Sequence, residues 1–177
     1  MTEPLRTSTC CFSGYRPEKI TGCPAEETGI PAFLAAPLHE AVCAAAAQGC
    51  THFVTGMSRG FDLWAAQTVL ELADALHLSL ICAIPFDGQD ADWAPAWRTL
   101  YDQVLRRAAQ VYLLSPTYTP GCFHARNRFL VDAATRLICY YDGLPGGTAY
   151  TVRYARHCGL ELVNLADPQL ALEGFAP

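Results

Sequence analysis

Five short stretches of the sequence hold the residues best able to do chemistry, and they share a composition. They are "GYRP" (Gly14, Tyr15, Arg16), "GMSRGFD" (Gly56, Ser58, Arg59, Gly60, Asp62), "DGQDADW" (Gln89, Asp90, Trp93), "SPTY" followed by "ARNR" (Ser115, Thr117, Tyr118, then Arg126, Asn127, Arg128), and "GGT" (Gly146, Gly147, Thr148). Glycine, arginine, hydroxyl and aromatic residues recur in them. Glycines let a backbone approach a ligand closely. A glycine-rich turn that opens a helix offers free N–H groups and the positive end of the helix dipole to an anion. Arginine grips phosphate or carboxylate with two parallel hydrogen bonds, and Tyr15, Trp93 or Tyr118 could stack on a base. Asp62 has three available roles: acceptor for a ribose hydroxyl, general base, or cap of the helix that begins beside it. The chemistry these types suit is recognition of a phosphorylated sugar or nucleotide.

Metal and thiol chemistry find less support. The five histidines are scattered, there is no HExxH, and no Cys/His group has zinc spacing, so no metal site is expected. The nine cysteines (10, 11, 23, 43, 50, 82, 122, 139, 158) are odd in number and include no CxxC pair. Cys10, Cys11, Cys82 and Cys139 lie in apolar runs, where a free cysteine acts as a small core hydrophobe.

The elements that must carry these residues are legible from period. Strands are predicted at 8–13, 51–55, 78–86, 110–115, 136–141 and 160–165, with helices from Pro37 to the stop at Gly49, then from 61 to 76, 95 to 108, 124 to 135 and 148 to 157. Phe61, Trp64, Ala65, Thr68, Val69, Leu72, Ala73 and Leu76 recur at steps of three and four, so one face of the second helix is core. Trp64, Trp97, Tyr101, Tyr112 and Phe129 are expected to pack, and Arg98, Arg106, Arg107 and Arg156 to face solvent. Strand and helix in alternation give right-handed crossovers. The expected fold is therefore a three-layer, Rossmann-like, doubly wound α/β domain, with a mostly parallel sheet of five or six strands spanning residues 1–177 as one domain. In such a sheet ligands bind beyond the carboxyl ends of the strands, and that is where the five stretches fall.

Composition bounds the partners. Hydrophobic residues are 51% and charged residues 16% of 177, which suits a compact globule. No apolar run reaches the length of about 18 residues needed to span a bilayer, and "MTEPLRTSTC" lacks a signal peptide's regions, so a cytoplasmic protein with no membrane partner is expected. The net charge of -5 argues against nucleic acid as a partner, although a local basic patch is compatible with it. Of the twelve basic residues only Lys19 is a lysine.

Five motifs together resemble the YpsA-like branch of the SLOG superfamily, Rossmann-type domains associated with nucleotide-derived ligands. They are "SGYRP", "GFDLWAAQ", "PFDGQDADW", "ARNRFLVDAA" and "YYDGLPGGTAY", and the likeness runs from about Cys10 to Leu165. The family's glycine, acid and tryptophan match Gly60, Asp62 and Trp64. Two related groups supply alternatives. "HARN" and "LPGGTAYTVR" resemble motifs of the LOG-type phosphoribohydrolases, which would put Arg126 in the arginine's place, but Arg153 stands where that group has glutamate. An arginine would oppose the oxocarbenium-like state that a carboxylate stabilises. "TGMSRGFD" resembles a motif of the DNA-processing protein DprA, which binds single-stranded DNA.

The leading expectation is a sensor or regulatory module that binds a nucleotide or nucleotide-derived phosphate compound. Phosphate would lie against Gly146, Gly147 and Thr148 with Arg126, and sugar or base near Gly14, Arg16, Gly56, Gly60 and Asp62. A nucleotide-cleaving hydrolase with Asp62 and Arg126 as catalytic candidates is the alternative, and single-stranded DNA binding comes third. No cofactor beyond the nucleotide itself is expected, and the resemblance leaves pairing of two copies open.

Overall fold

The computed structural model describes residues 6–166. Six strands form one sheet: β1 (Thr9–Ser13), β2 (His52–Thr55), β3 (Ser79–Ile84), β4 (Gln110–Leu113), β5 (Arg136–Cys139) and β6 (Glu161–Asn164). Their spatial order is β4-β3-β2-β1-β5-β6 and every neighbouring pair is parallel. The connecting helices are α1 (Ala32–Ala47), α2 (Phe61–Leu76), α3 (Pro95–Arg107), α4 (Cys122–Asp132) and α5 (Gly147–His157), with a 3-10 turn at Pro17–Lys19. The fold is thus a doubly wound, Rossmann-like α/β sheet.

Alternation along the strands divides the core. Cys10, Phe12 and Phe53 face a layer built from α1, α2 and α3, where Phe12 stacks on Phe53 at 5.8 Å and Trp64 meets Trp97 at 6.1 Å. Cys11, Val54 and Ile81 face the other way, onto Leu130, Val131, Val152 and Ala155 of α4 and α5. Both tryptophans are wholly buried, and each spends its indole N–H on the loop before α1: Trp64 on the Thr28 carbonyl at 2.9 Å and Trp97 on that of Ala25 at 2.7 Å. Tyr101 is core as well, Tyr112 and Phe129 pack on each other at 5.2 Å, and Arg98, Arg106, Arg107 and Arg156 are exposed.

Helix α1 begins well before Pro37, which lies inside it. Leu34, Leu38, Val42 and Ala45 form its buried face, so burial of Leu34 draws an extra turn into the helix. As the sixth residue of the helix, Pro37 forgoes the hydrogen bond that an N–H there would give to the Phe33 carbonyl. The helix ends as expected, with Gly49 at φ +97° and the N–H groups of Gly49 and Cys50 on the carbonyls of Ala46 and Ala45. Helix α4 starts at Cys122 and ends at Asp132, earlier than its apolar period implies. Strands β3, β4 and β5 all stop short of their predicted ends, because their last residues leave the sheet to form the loops above it.

Winding reverses once. From β1 the chain builds β2, β3 and β4 outward in one direction, then returns to place β5 on the other side of β1. The loops after β1 and β5 therefore diverge above their strands, and a crevice opens between them.

Candidate functional site

A cavity of about 380 Å³ fills that crevice. This is within the range of small-molecule sites, roughly 300 to 1,000 Å³. Its floor is Ser13 and Gly14 at the end of β1, and the 3-10 turn brings Tyr15, Arg16, Glu18 and Lys19 along one side. Ser58 comes from the β2–α2 turn and Asp62 from the first turn of α2, Phe123, His124, Arg126 and Asn127 from the start of α4, and Gly146, Gly147 and Thr148 from the start of α5. Half of the residues singled out by sequence meet here, drawn from four separate loops.

At the centre is an arginine that the fold itself holds. Arg126 is 5% exposed. Its Nη1 donates to the Gly56 carbonyl, its Nη2 to Ser58 Oγ at 3.2 Å and its Nε to Asn127 Oδ1 at 2.8 Å, while Nη1 stands 3.9 Å from Asp62 Oδ2. Asn127 passes the connection on, with Nδ2 donating to the Gly147 carbonyl at 3.4 Å. The β2–α2 turn, α4 and the first residue of α5 are joined by one chain of polar contacts.

Asp62 is not the helix cap. Gly60 occupies the N-cap of α2, and Asp62 lies in the first turn with its Oδ2 accepting the Ser58 N–H at 3.4 Å. Burial pushes its carboxyl above the ordinary range; the Arg126 guanidinium and the N–H groups of Ser58 and Gly14 pull it back. Burial also weighs against the charge on Arg126, and Asp62 offsets it. Because a guanidinium keeps its proton in proteins, the pair holds a charged Arg126 against a reluctant acid.

The other half of the cavity is a helix start. Helix α5 has Gly146 at its N-cap with φ +145°, no side chain caps it, and its first turn contains no acid. Its first N–H groups thus carry partial positive charge toward the cavity. Thr148 Oγ1 donates to the Gly14 carbonyl at 2.9 Å, fixing this helix to β1. Tyr15 donates its hydroxyl to Asp142 Oδ1 at 2.7 Å and accepts the Leu144 N–H at 3.1 Å, which pins the loop leading to Gly146. Burial first, and then Asp142, push the Tyr15 hydroxyl up to about 12.

The other sequence candidates stand outside the lining, among them two glycines, Arg59, Trp93 and Tyr118. Gly56 and Gly60 do permit close approach, but to the protein: a Cβ on Gly56 would lie 2.2 Å from Arg126 Nη1, and one on Gly60 2.7 Å from the Tyr15 carbonyl. Arg59 forms an ion pair with Glu18 at 3.1 Å. Trp93 packs edge-on against Tyr101 at 5.5 Å, because Gln89 bonds the Met57 carbonyl and the Tyr101 hydroxyl and folds that loop inward. Tyr118 lies in an aromatic group with Phe86 and Phe123, and through Phe123 that group reaches the cavity. Arg153, at the glutamate position of the hydrolase-like motif, is exposed and does not line it.

Sequence reasoning missed Ser13, Glu18, Lys19, Phe123 and His124. Two signals were in view: Lys19 is the one lysine of the chain, and Phe123 and His124 immediately precede Ala125 and Arg126. Among the described residues no group of three or more His, Cys, Asp and Glu is placed to hold a metal ion, and no helix is long and apolar enough to cross a membrane.

An all-parallel doubly wound sheet with a glycine- and arginine-lined crevice at its switch point defines a Rossmann-like α/β protein. The family model YpsA, described as YspA SLOG family, matches residues 10–159. The chain belongs to that family.

Relatives include UPF0398 protein BH1768 of Halalkalibacterium halodurans, 27% identical over 77% of this chain and 78% of its own length, and UPF0398 protein OB1025 of Oceanobacillus iheyensis, 25% identical over 78% and 76%. Among solved structures, DNA processing protein A from Streptococcus pneumoniae superposes with a TM-score of 0.60 at 21% identity, covering 96% of this chain. The chain spans 58% of that protein's length. DNA processing protein A from Helicobacter pylori, described with a single-stranded DNA binding mode, gives 0.60 at 18% identity, over 100% of this chain and 78% of its own.

The last finding corrects one expectation. Net charge had argued against a nucleic-acid partner, yet a protein of this fold binds single-stranded DNA. Net charge sums the whole surface, whereas a strand meets only the local field, and here Arg16, Lys19 and Arg126 gather at one crevice of an acidic chain.

Proposed function

We propose that the chain is a cytosolic module that binds a nucleotide or nucleotide-derived phosphate compound in the switch-point cavity, as a sensor or regulator. The observation that carries this reading is the meeting, in one cavity of about 380 Å³, of the uncapped start of α5 with cations from the β1 loop. Glycosidic cleavage is not part of the reading. The two carboxylates of the cavity, Glu18 and Asp62, both face arginines, and neither is free to stabilise a developing oxocarbenium charge.

Thermal shift against nucleoside monophosphates, NAD and ADP-ribose tests it, since a ligand at 100 times its Kd adds about 2.7 kcal/mol of stability. A shift with at least one of them is expected. No shift with any would remove the reading.

A second reading has its own support. The Helicobacter pylori protein binds single-stranded DNA, and Phe86, Tyr118 and Phe123 form an aromatic surface beside the cavity, with Tyr118 61% exposed. An exposed ring backed by half-buried Phe86 and Phe123, next to cations, is what base stacking along a strand uses. A labelled oligo-dT that shifts at low salt and not at high salt would favour it over a mononucleotide site.

A further inference from the structure

Charge in the cavity divides into groups that are spent and groups that are free. Glu18 is taken by Arg59 at 3.1 Å, and Asp62 faces Arg126 at 3.9 Å. Arg126 has little left to offer. Of its five N–H donors, three go to Asn127, Gly56 and Ser58 and a fourth lies on the Nη1 that faces Asp62. Arg16 and Lys19, both exposed at the cavity wall, have no ion-pair partner among the described residues.

Lys19 is also the cation aimed at the helix start. Its Nζ would lie 3.3 Å from a Cβ built on Gly146, the N-cap of α5. The 3-10 turn, anchored by its own buried Pro17 and by buried Ile20 just after it, fixes where that ammonium can reach. An anion at the first N–H groups of α5 would therefore meet the ammonium from the opposite side.

We propose that Lys19 is the specificity-determining cation of this cavity: with Arg16 it supplies two positive charges outside any ion pair that select a terminal phosphomonoester, a dianion, over a phosphodiester. Arg126 is a positioning residue that holds the β2–α2 turn and α5 in register. The proposal rests on the nucleotide-binding reading above and narrows its ligand. At pH 7.5 a monoester, with its second pKa of about 6, carries close to two charges and three acceptor oxygens, while a diester carries one charge.

Calorimetry on the full chain at pH 7.5 tests this with AMP, GMP, CMP and UMP and, for the tightest of them, its 5′-phosphate methyl ester. The monoester is expected to bind about tenfold tighter than its methyl ester, the effect of one well-placed charge-assisted contact. Lys19→Gln should weaken the monoester about tenfold and the ester less than about threefold, erasing most of the preference. Arg59→Gln, outside the cavity, should also weaken the monoester, because it frees Glu18 beside Lys19. Melting curves establish that both variants fold.

Equal affinity for monoester and methyl ester, or equal losses for both in Lys19→Gln, would overturn the proposal and leave nucleotide binding intact. Binding of NAD or ADP-ribose with no monophosphate bound has the same meaning. If no nucleotide binds at all, the broader reading fails with it.

Discussion

The Arg126 guanidinium lies 3.9 Å from the Asp62 carboxylate with both side chains more than nine-tenths buried. The contact bridges the first turn of α2 and α4, two elements brought together only by the return of the chain across the sheet.

Removing one member of such a pair leaves a buried charge without compensation, at a cost of about 3–5 kcal/mol. Asp62→Ala is accordingly expected to lose that much in urea unfolding. A helix cap would lose only about 0.5–2 kcal/mol. A measured loss in the lower range would show that water reaches Arg126 and screens it.

Glycines of the site should differ in what they tolerate. A Cβ on Gly14 would lie 2.3 Å from Cγ of the fully buried Phe61 ring, and Gly14→Ala should cost at least about 1–3 kcal/mol through overpacking. Gly146 meets only the flexible end of Lys19, though its φ of +145° strains any side chain. Gly146→Ala should therefore destabilise less than Gly14→Ala in the same denaturant series, and similar losses would contradict this packing.

Alkaline pH offers a test of the Tyr15 clamp. The folded hydroxyl titrates at about 12 against an ordinary 10, so the folded state holds this proton more tightly. Its contribution is complete below pH 10 and is lost as pH rises toward 12. Tyr101, also raised to about 12, adds to the same loss. Tyr15→Phe should flatten the fall in stability measured by denaturant between about pH 9.5 and 11.5 by the Tyr15 share alone; an unchanged slope would mean that Tyr15 is not shifted.

Arg153→Glu restores the carboxylate of the hydrolase-like motif in sequence. Because residue 153 is exposed on α5 and outside the cavity, no free base is expected by chromatography from nucleoside monophosphates with either the parent chain or the variant. Release of base by the variant alone would place that side chain in the site after all.

Local pattern carried the elements and much of the cavity. Strand and helix type, the Gly49 stop and the packing of Trp64 and Trp97 follow from periods of two and 3.6 and from glycine's backbone freedom, which act over a few residues. Gly14, Arg16, Asp62, Arg126 and Gly147 could be placed at strand ends for the same reason. Trp93 could not be placed, since its direction depends on Gln89 reaching Met57, a contact 32 residues away in sequence.

By itself, then, the sequence determined a doubly wound parallel sheet and the family to which it belongs, because apolar period and turn chemistry are local. Tertiary structure alone decided which polar groups are free. Whether an arginine grips a ligand or a neighbouring loop depends on the acceptors the fold brings within its reach, at about 2.7–3.2 Å for a hydrogen bond and up to about 4 Å for an ion pair. Arg126 is enclosed by Gly56, Ser58, Asn127 and Asp62, while Lys19, missed in the sequence, is left at the mouth of the cavity with its charge unspent.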